Sequence, residues 1–180
     1  MRIGDAARQA GVEVRWKPFL LGPIFKAQGW DTSPFSIYEA KGRYMWRDME
    51  RQTEALGLPF RRPEPFPQNS LLAARVALAG AAVDAPWVAD FCVAVFRVQF
   101  GEGRRIDDPS TLSALLTGLN IDAATALAAA VSDENKARLR AQTEQASQLG
   151  IFGAPSFIAA DGELFWGNDR LEAALEWAKN

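Results

Sequence analysis

Apolar residues at spacings of three and four dominate the middle of the chain. Leu71, Leu72, Val76 and Leu78, then Val88, Phe91, Val95 and Phe96, then Leu112, Leu115 and Leu116 recur with the period of helices that bury one face. Asp107, Ser110, Asp122 and Asp133 stand where such helices begin, and Pro86 and Pro109 fit near their starts. The alanines of residues 123–130 express helix propensity and close packing, with no internal repeat behind them. Residues 69–150 therefore read as an all-helical insertion. Ahead of it, residues 3–9 read as a helix ended by Gly11, and residues 12–16 alternate as a strand. Gly22, Pro23, Gly29 and Pro34 mark a loop, and an amphipathic helix then runs from about residue 38 to residue 56, stopped by Gly57. Its Met45, Met49 and Leu56 are assigned to the core. Pro59, Pro63, Pro65 and Pro67 make an extended crossing segment.

After the helices the period changes. Ser156-Phe157-Ile158 and Leu164-Phe165-Trp166 are runs of strand length, and the Asp161-Gly162 between them signals a hairpin. Leu171, Ala174, Leu175 and Ala178 then resume helical spacing. Asp169, just before them, is placed either to cap that helix or to point outward and hold a ligand's ammonium group, and the residues alone favour the cap. Pro155 before the first strand is an entry residue; an X-Pro bond is also the place where a cis peptide costs least.

Composition narrows the chemistry. A length of 180 residues suits one domain with an insertion, and a net charge of −2 gives no reason to expect nucleic acid or an anionic membrane as partner. No apolar run approaches the roughly 20 residues that span a bilayer, and no signal-peptide pattern is found, so the expected location is cytoplasmic. The single Cys92 lies in an apolar helical stretch and reads as a small buried residue. One cysteine makes neither an intrachain disulfide nor a dithiol redox centre. With no histidine, a Ser-His-Asp triad and a histidine-bound zinc site are excluded, and no metal site is expected.

Gly153-Ala154-Pro155 before a strand, a hairpin, and then Phe165-Trp166-Gly167-Asn168-Asp169-Arg170-Leu171 form a set that resembles the 2-hydroxychromene-2-carboxylate isomerases. These are relatives of kappa-class glutathione transferases in the DsbA-like thioredoxin superfamily. The likeness continues upstream in Lys17-Pro18-Phe19-Leu20-Leu21-Gly22-Pro23, in Lys41-Gly42-Arg43-Tyr44-Met45-Trp46-Arg47-Asp48 and in Phe66-Pro67-Gln68-Asn69-Ser70. It implies an α/β, thioredoxin-like fold with a large all-helical insertion, divided as 1–68, 69–150 and 151–180. It also implies a homodimer, glutathione as cofactor and a small aromatic substrate. By the same resemblance Lys41 meets the glycine carboxylate of glutathione and the Ala154 backbone pairs with its cysteinyl part. Asn168 and Asp169 hold its γ-glutamyl end, and Tyr44, Trp46 and Asn69 line the substrate pocket. Charge agrees, since an ammonium suits a carboxylate and an aspartate suits an amine. Without the resemblance, Lys41 reads equally as an exposed lysine at a helix start, and Tyr44 and Trp46 as core or interface residues. The resemblance also implies a cis bond between Ala154 and Pro155.

The family places a central strand before its first helix, ending in a serine that stabilises the glutathione thiolate. Here residues 1–7 match the first helix itself, so strand and serine are expected to be missing and no catalytic residue is assigned. Residues 12–16 would then lack a parallel neighbour, at about 1–3 kcal/mol for each buried unpaired group. A start set too far downstream, a shortened chain, or a strand from another chain would account for this. Thr32-Ser33-Pro34-Phe35-Ser36 copies the letters of the serine motif but follows no strand; it reads as a turn with Ser36 as helix cap. The functions that follow are a glutathione-dependent isomerase, a kappa-like glutathione transferase, and a non-catalytic thioredoxin-like binding domain.

Overall fold

The computed structural model describes residues 1–179. Its first helix, α1 (Ile3–Ala10), ends at Gly11, whose φ of 70° lets its N–H reach back to the Ala7 and Arg8 carbonyls. The expected strand at residues 12–16 does not form. Val12, Val14 and Trp16 are half-buried and Glu13 and Arg15 exposed, so the alternation is real. A ladder needs a neighbour, however, and among the described residues the sheet consists of the two C-terminal strands alone.

The expected loop that follows contains two helices. Pro23 sits in the first turn of α2 (Leu21–Ala27), where its missing N–H breaks no helical bond. A short helix, α3 (Pro34–Ile37), is capped by Ser33, whose Oγ accepts the Phe35 N–H at 3.3 Å; Ser33, not Ser36, is the cap. The long helix α4 (Glu39–Ala55) buries only Gly42 and Thr53, and Gly57 beyond it has a φ of 62°. Gly42 lies so close to the Phe35 carbonyl that a Cβ there would stand 2.3 Å from its oxygen, which joins α3 to α4. Leu56, assigned to the core from sequence, is 45% exposed. The proline segment crosses without helix or strand, with cis bonds before Pro65 and Pro67, and is tied to the insertion where the Arg61 N–H donates to the Phe100 carbonyl at 2.6 Å.

The insertion consists of α5 (Leu71–Ala81), α6 (Val88–Phe96) running into a π turn (Arg97–Gly101), α7 (Pro109–Gly118), α8 (Ala123–Ala130) and α9 (Asp133–Gln148). Asp108, Asp122 and Ser132 cap α7, α8 and α9, so two of the starts lie one residue from the expected aspartates. Asp107 pairs with Arg105 instead. Val76, Phe91, Leu112 and Leu116 are almost wholly buried where α5, α6 and α7 meet, and burying each such side chain is worth about 1.5–3 kcal/mol.

The hairpin β1 (Ser156–Ile158) and β2 (Leu164–Trp166) pairs antiparallel with Phe157 opposite Phe165. Gly162 turns it at a φ of 92°, and Asp161 holds the turn by accepting from the Glu163 N–H at 3.1 Å and the Trp177 indole at 2.8 Å. A 3-10 turn (Asn168–Arg170) leads into α10 (Leu171–Trp177). Helices α1 and α10 pack through Ala7, Leu171 and Leu175, joined by Val12, Val14 and Phe157. A second cluster, Ile24, Ala146 and Ile151 with Phe19 and Leu164, seats α2 and α9 against the hairpin. The start and end of the chain thus form one α/β unit beside the helices.

Candidate functional site

The two corners picked out in the sequence lie side by side. The Ala154–Pro155 peptide is cis. Its flanks are fixed: the Ser156 hydroxyl donates to the Gly153 carbonyl at 2.9 Å, and the Gly167 N–H donates to the Pro155 carbonyl at 3.0 Å. Ala154 itself is exposed, and among the described residues no hydrogen bond engages its N–H or carbonyl. The Gly167 bond ties the start of the following turn, Asn168 to Arg170, to this corner.

Asp169 does not cap α10. The residue before that helix is Arg170, with no side-chain cap, because the 3-10 turn has already used the chain's approach. The Asp169 side chain is 71% exposed and pairs loosely with Arg170 at 3.3 Å. Its Oδ1 bends over Gly167, standing 2.5 Å from where a Cβ would be; only glycine leaves that space, and its φ of 106° needs glycine as well. The carboxylate is therefore exposed and caps no helix.

Asn168 is held at both ends of its side-chain amide and at its carbonyl. Arg2 Nε donates to its Oδ1 at 2.9 Å and Arg2 Nη2 to its main-chain carbonyl at 2.7 Å, while its Nδ2 donates to Gln52 Oε1 at 2.8 Å. The other edge of Arg2 pairs with Glu172, and the hydrogen bond from Arg2 holds that carboxyl below its usual range. Sequence reasoning missed Arg2 and Gln52. Nothing local marks them, since Arg2 lies 166 residues from its partner.

Lys41 is exposed in the first turn of α4, its ammonium 5.4 Å from the centre of the Tyr38 ring. At 3.6 residues per turn it shares a stripe with Asp48 and Gln52, so the helix face that carries Lys41 also reaches Asn168. The three residues expected to line a substrate pocket are not joined in this way. Tyr44 is 66% exposed with the Arg51 guanidinium 5.5 Å from its ring. Trp46 lies on the opposite side of α4, edge-on to Phe66 at 4.7 Å and beneath Arg62 at 4.7 Å. Asn69 accepts the Leu71 N–H at 2.9 Å and so starts α5. No described contact links these three. A groove of about 1250 Å³ runs between residues 13–17 and helices α5, α6 and α9, and none of the candidate residues lines it.

Burial pushes the Cys92 thiol up to about 11, so it is an ordinary packed side chain at neutral pH. Among the described residues no cluster of three metal-ligating side chains is found, and no helix is long and apolar enough to cross a membrane.

Comparison with known proteins agrees with this architecture. The chain is 25% identical over 173 residues to the 2-hydroxychromene-2-carboxylate isomerase of Sphingobium xenophagum, covering 96% of this chain and 86% of that protein. It is 25% identical over 175 residues to glutathione s-transferase kappa 2 of Caenorhabditis elegans, covering 91% and 77%. A solved structure of a 2-hydroxychromene-2-carboxylate isomerase superposes with a TM-score of 0.83 at 26% identity, over 99% of this chain and 85% of that one. The chain is thus related to isomerases and transferases of one superfamily. The DSBA-like thioredoxin domain matches residues 1–176, nearly the full length, and the chain belongs to that family.

Proposed function

We propose that the protein is a glutathione-dependent isomerase that interconverts 2-hydroxychromene-2-carboxylate and trans-o-hydroxybenzylidenepyruvate in the breakdown of aromatic compounds. The observation that supports this reading is the Gly167–Pro155 hydrogen bond, which ties the corner carrying the open Ala154 amide and carbonyl to the turn carrying the exposed Asp169 carboxylate. The residues fit a γ-glutamyl tripeptide: an extended backbone pairs with Ala154, an amino-acid end meets Asp169, and a free cation at Lys41 suits the terminal carboxylate. The relative named as a kappa glutathione s-transferase supports the same cofactor, and the one named as the isomerase supports the reaction.

Bound glutathione would supply a thiolate that adds reversibly to the conjugated substrate, allowing rotation about the bond while it is single. The chain's own contribution is placement. The Ala154 backbone would hold the cysteinyl unit, and Asp169 and Lys41 would hold the two charged ends. Pro155 has no N–H to compete at this corner. Tyr44, Trp46 and Asn69 are proposed to meet the aromatic substrate. No residue is assigned the donor that lowers the thiol pKa.

The similarity to the kappa transferase supports a second reading, conjugation of glutathione to an electrophile. Turnover separates the two. With 2-hydroxychromene-2-carboxylate and glutathione, the isomerase reading expects an ultraviolet change with the thiol concentration constant. Loss of thiol in step with product would replace it by the transferase reading, and no glutathione-dependent change would remove it.

A further inference from the structure

We propose that Arg2 and Gln52 are positioning residues of the cofactor site, which grip Asn168 from two sides and so fix the direction of the Asp169 carboxylate. The inference rests on the glutathione reading above. It changes the role of Asn168 from a ligand contact to the fixed point of the turn.

The side-chain amide of Asn168 has one acceptor and one donor end, and both are engaged inside the protein. The acceptor faces Arg2 and the donor faces Gln52, so the amide has one orientation that satisfies both neighbours. Each neighbour is itself oriented. The second edge of Arg2 is held by Glu172 on α10, and Gln52 Nε2 donates to Asp48, which also pairs with Arg51 at 3.2 Å. Arg2 thus binds the side chain and the main chain of Asn168 at once, which a lysine ammonium does not reproduce in the same plane.

The site depends on this grip because, between the Gly167–Pro155 bond and the buried Leu171, the turn has no buried side chain of its own. Asn168 to Arg170 form a single 3-10 turn with no buried side chain and no side-chain cap. Among the described residues the Asp169 carboxylate pairs with no cation besides the exposed Arg170. Helix α4, which carries Gln52, is mostly exposed, so the Gln52–Asn168 bond is also where the turn meets it. Loosening Asn168 frees the next peptide to rotate, and the Asp169 carboxylate then spreads over many directions.

NMR titration with glutathione and with cysteinylglycine, which lacks the γ-glutamyl group, tests this in the wild type and in Arg2→Lys, Gln52→Leu and Gln52→Glu. The wild type is expected to bind glutathione the more tightly. Arg2→Lys and Gln52→Leu are expected to weaken glutathione about tenfold, the effect of one or two lost hydrogen bonds, and to leave cysteinylglycine within about twofold. Gln52→Glu keeps an acceptor for Asn168 Nδ2 but loses the donor to Asp48 and faces its carboxylate, so it is expected to weaken glutathione, though less than Gln52→Leu. Unchanged glutathione affinity in Arg2→Lys and Gln52→Leu overturns the positioning role and leaves the glutathione reading standing. Equal weakening of both peptides, or a variant too unstable to titrate, assigns the residues to general structure and also overturns it. A wild type that binds neither peptide, or does not distinguish them, overturns the glutathione reading itself.

Discussion

Gly153→Ala is expected to destabilise the protein by about 1–3 kcal/mol, the usual cost of forcing an extra methyl into a filled space. An alanine Cβ at this position would lie 2.3 Å from the Trp166 Nε1 and 3.0 Å from its Cε2, because the indole lies directly over the Gly153 peptide. No backbone strain contributes, since Gly153 does not have a positive φ. Trp166 is 46% exposed, so the ring escapes by swinging outward and the cost stays moderate. In doing so it leaves Phe152, whose ring centre is 4.9 Å away; such a pair contributes about 0.5–1.5 kcal/mol. For a chain of this length each kcal/mol shifts the thermal midpoint by about 2–4 °C, which predicts a fall of about 2–12 °C by calorimetry. Trp166→Ala removes both the stack and the obstacle. In the double variant the two costs should therefore fail to add, by at least about 0.5 kcal/mol. A midpoint unchanged in Gly153→Ala, or costs that simply sum, would refute the contact and with it the packing that supports the Ala154–Pro155 corner.

Asp169→Ala is expected to leave stability within about 0.5 kcal/mol, as for an exposed side chain that caps nothing. It should weaken glutathione by about ten- to a hundredfold, as for a lost charged hydrogen bond, and by less at high salt; a loss near 1 kcal/mol in thermal unfolding would restore the capping role. Hydrogen exchange should be faster at the amides of residues 13–16, which make no backbone hydrogen bond among the described residues, than at the paired amides of β1 and β2; equal protection would mean that residues 13–16 are paired in solution. Asp108 and Asp122 have pKa values lowered from 3.8, the first by the Ser110 backbone N–H and the second by the Thr125 hydroxyl. Their contribution is complete above the unfolded value and is lost as pH falls through the lower folded one. Urea midpoints should accordingly be flat above about pH 5 and fall below 4, less steeply in Asp122→Ala.

The helices of the insertion were legible because their apolar periodicity corresponds to a real core: Val76, Phe91, Leu112 and Leu116 point where the spacing says they should. The hairpin was legible for a related reason, since Asp161-Gly162 and its flanking runs form it with local bonds. Residues 12–16 show the limit of such reasoning. Their alternation reports two differently exposed faces, but a strand also needs a partner, and partners are not a local property. Helix α2 was hidden by Gly22 and Pro23, which break helices in their interiors and cost little in a first turn. At the site, the Ala154–Pro155 corner and the Gly167 turn were visible as local chemistry, whereas the grip of Arg2 and Gln52 on Asn168 joins three distant segments. The surroundings of Trp46 and Asn69 were not legible either: an aromatic cluster gathers around one, and the other starts a helix.

The most direct measurement is a glutathione titration followed by backbone amide resonances. A site formed by Ala154, Asp169 and Lys41 predicts that these three amides shift together, saturate with a single dissociation constant, and do so while residues 13–17 and the groove beside them stay still. Shifts absent at all three positions, or confined to the groove along residues 13–17, would contradict it.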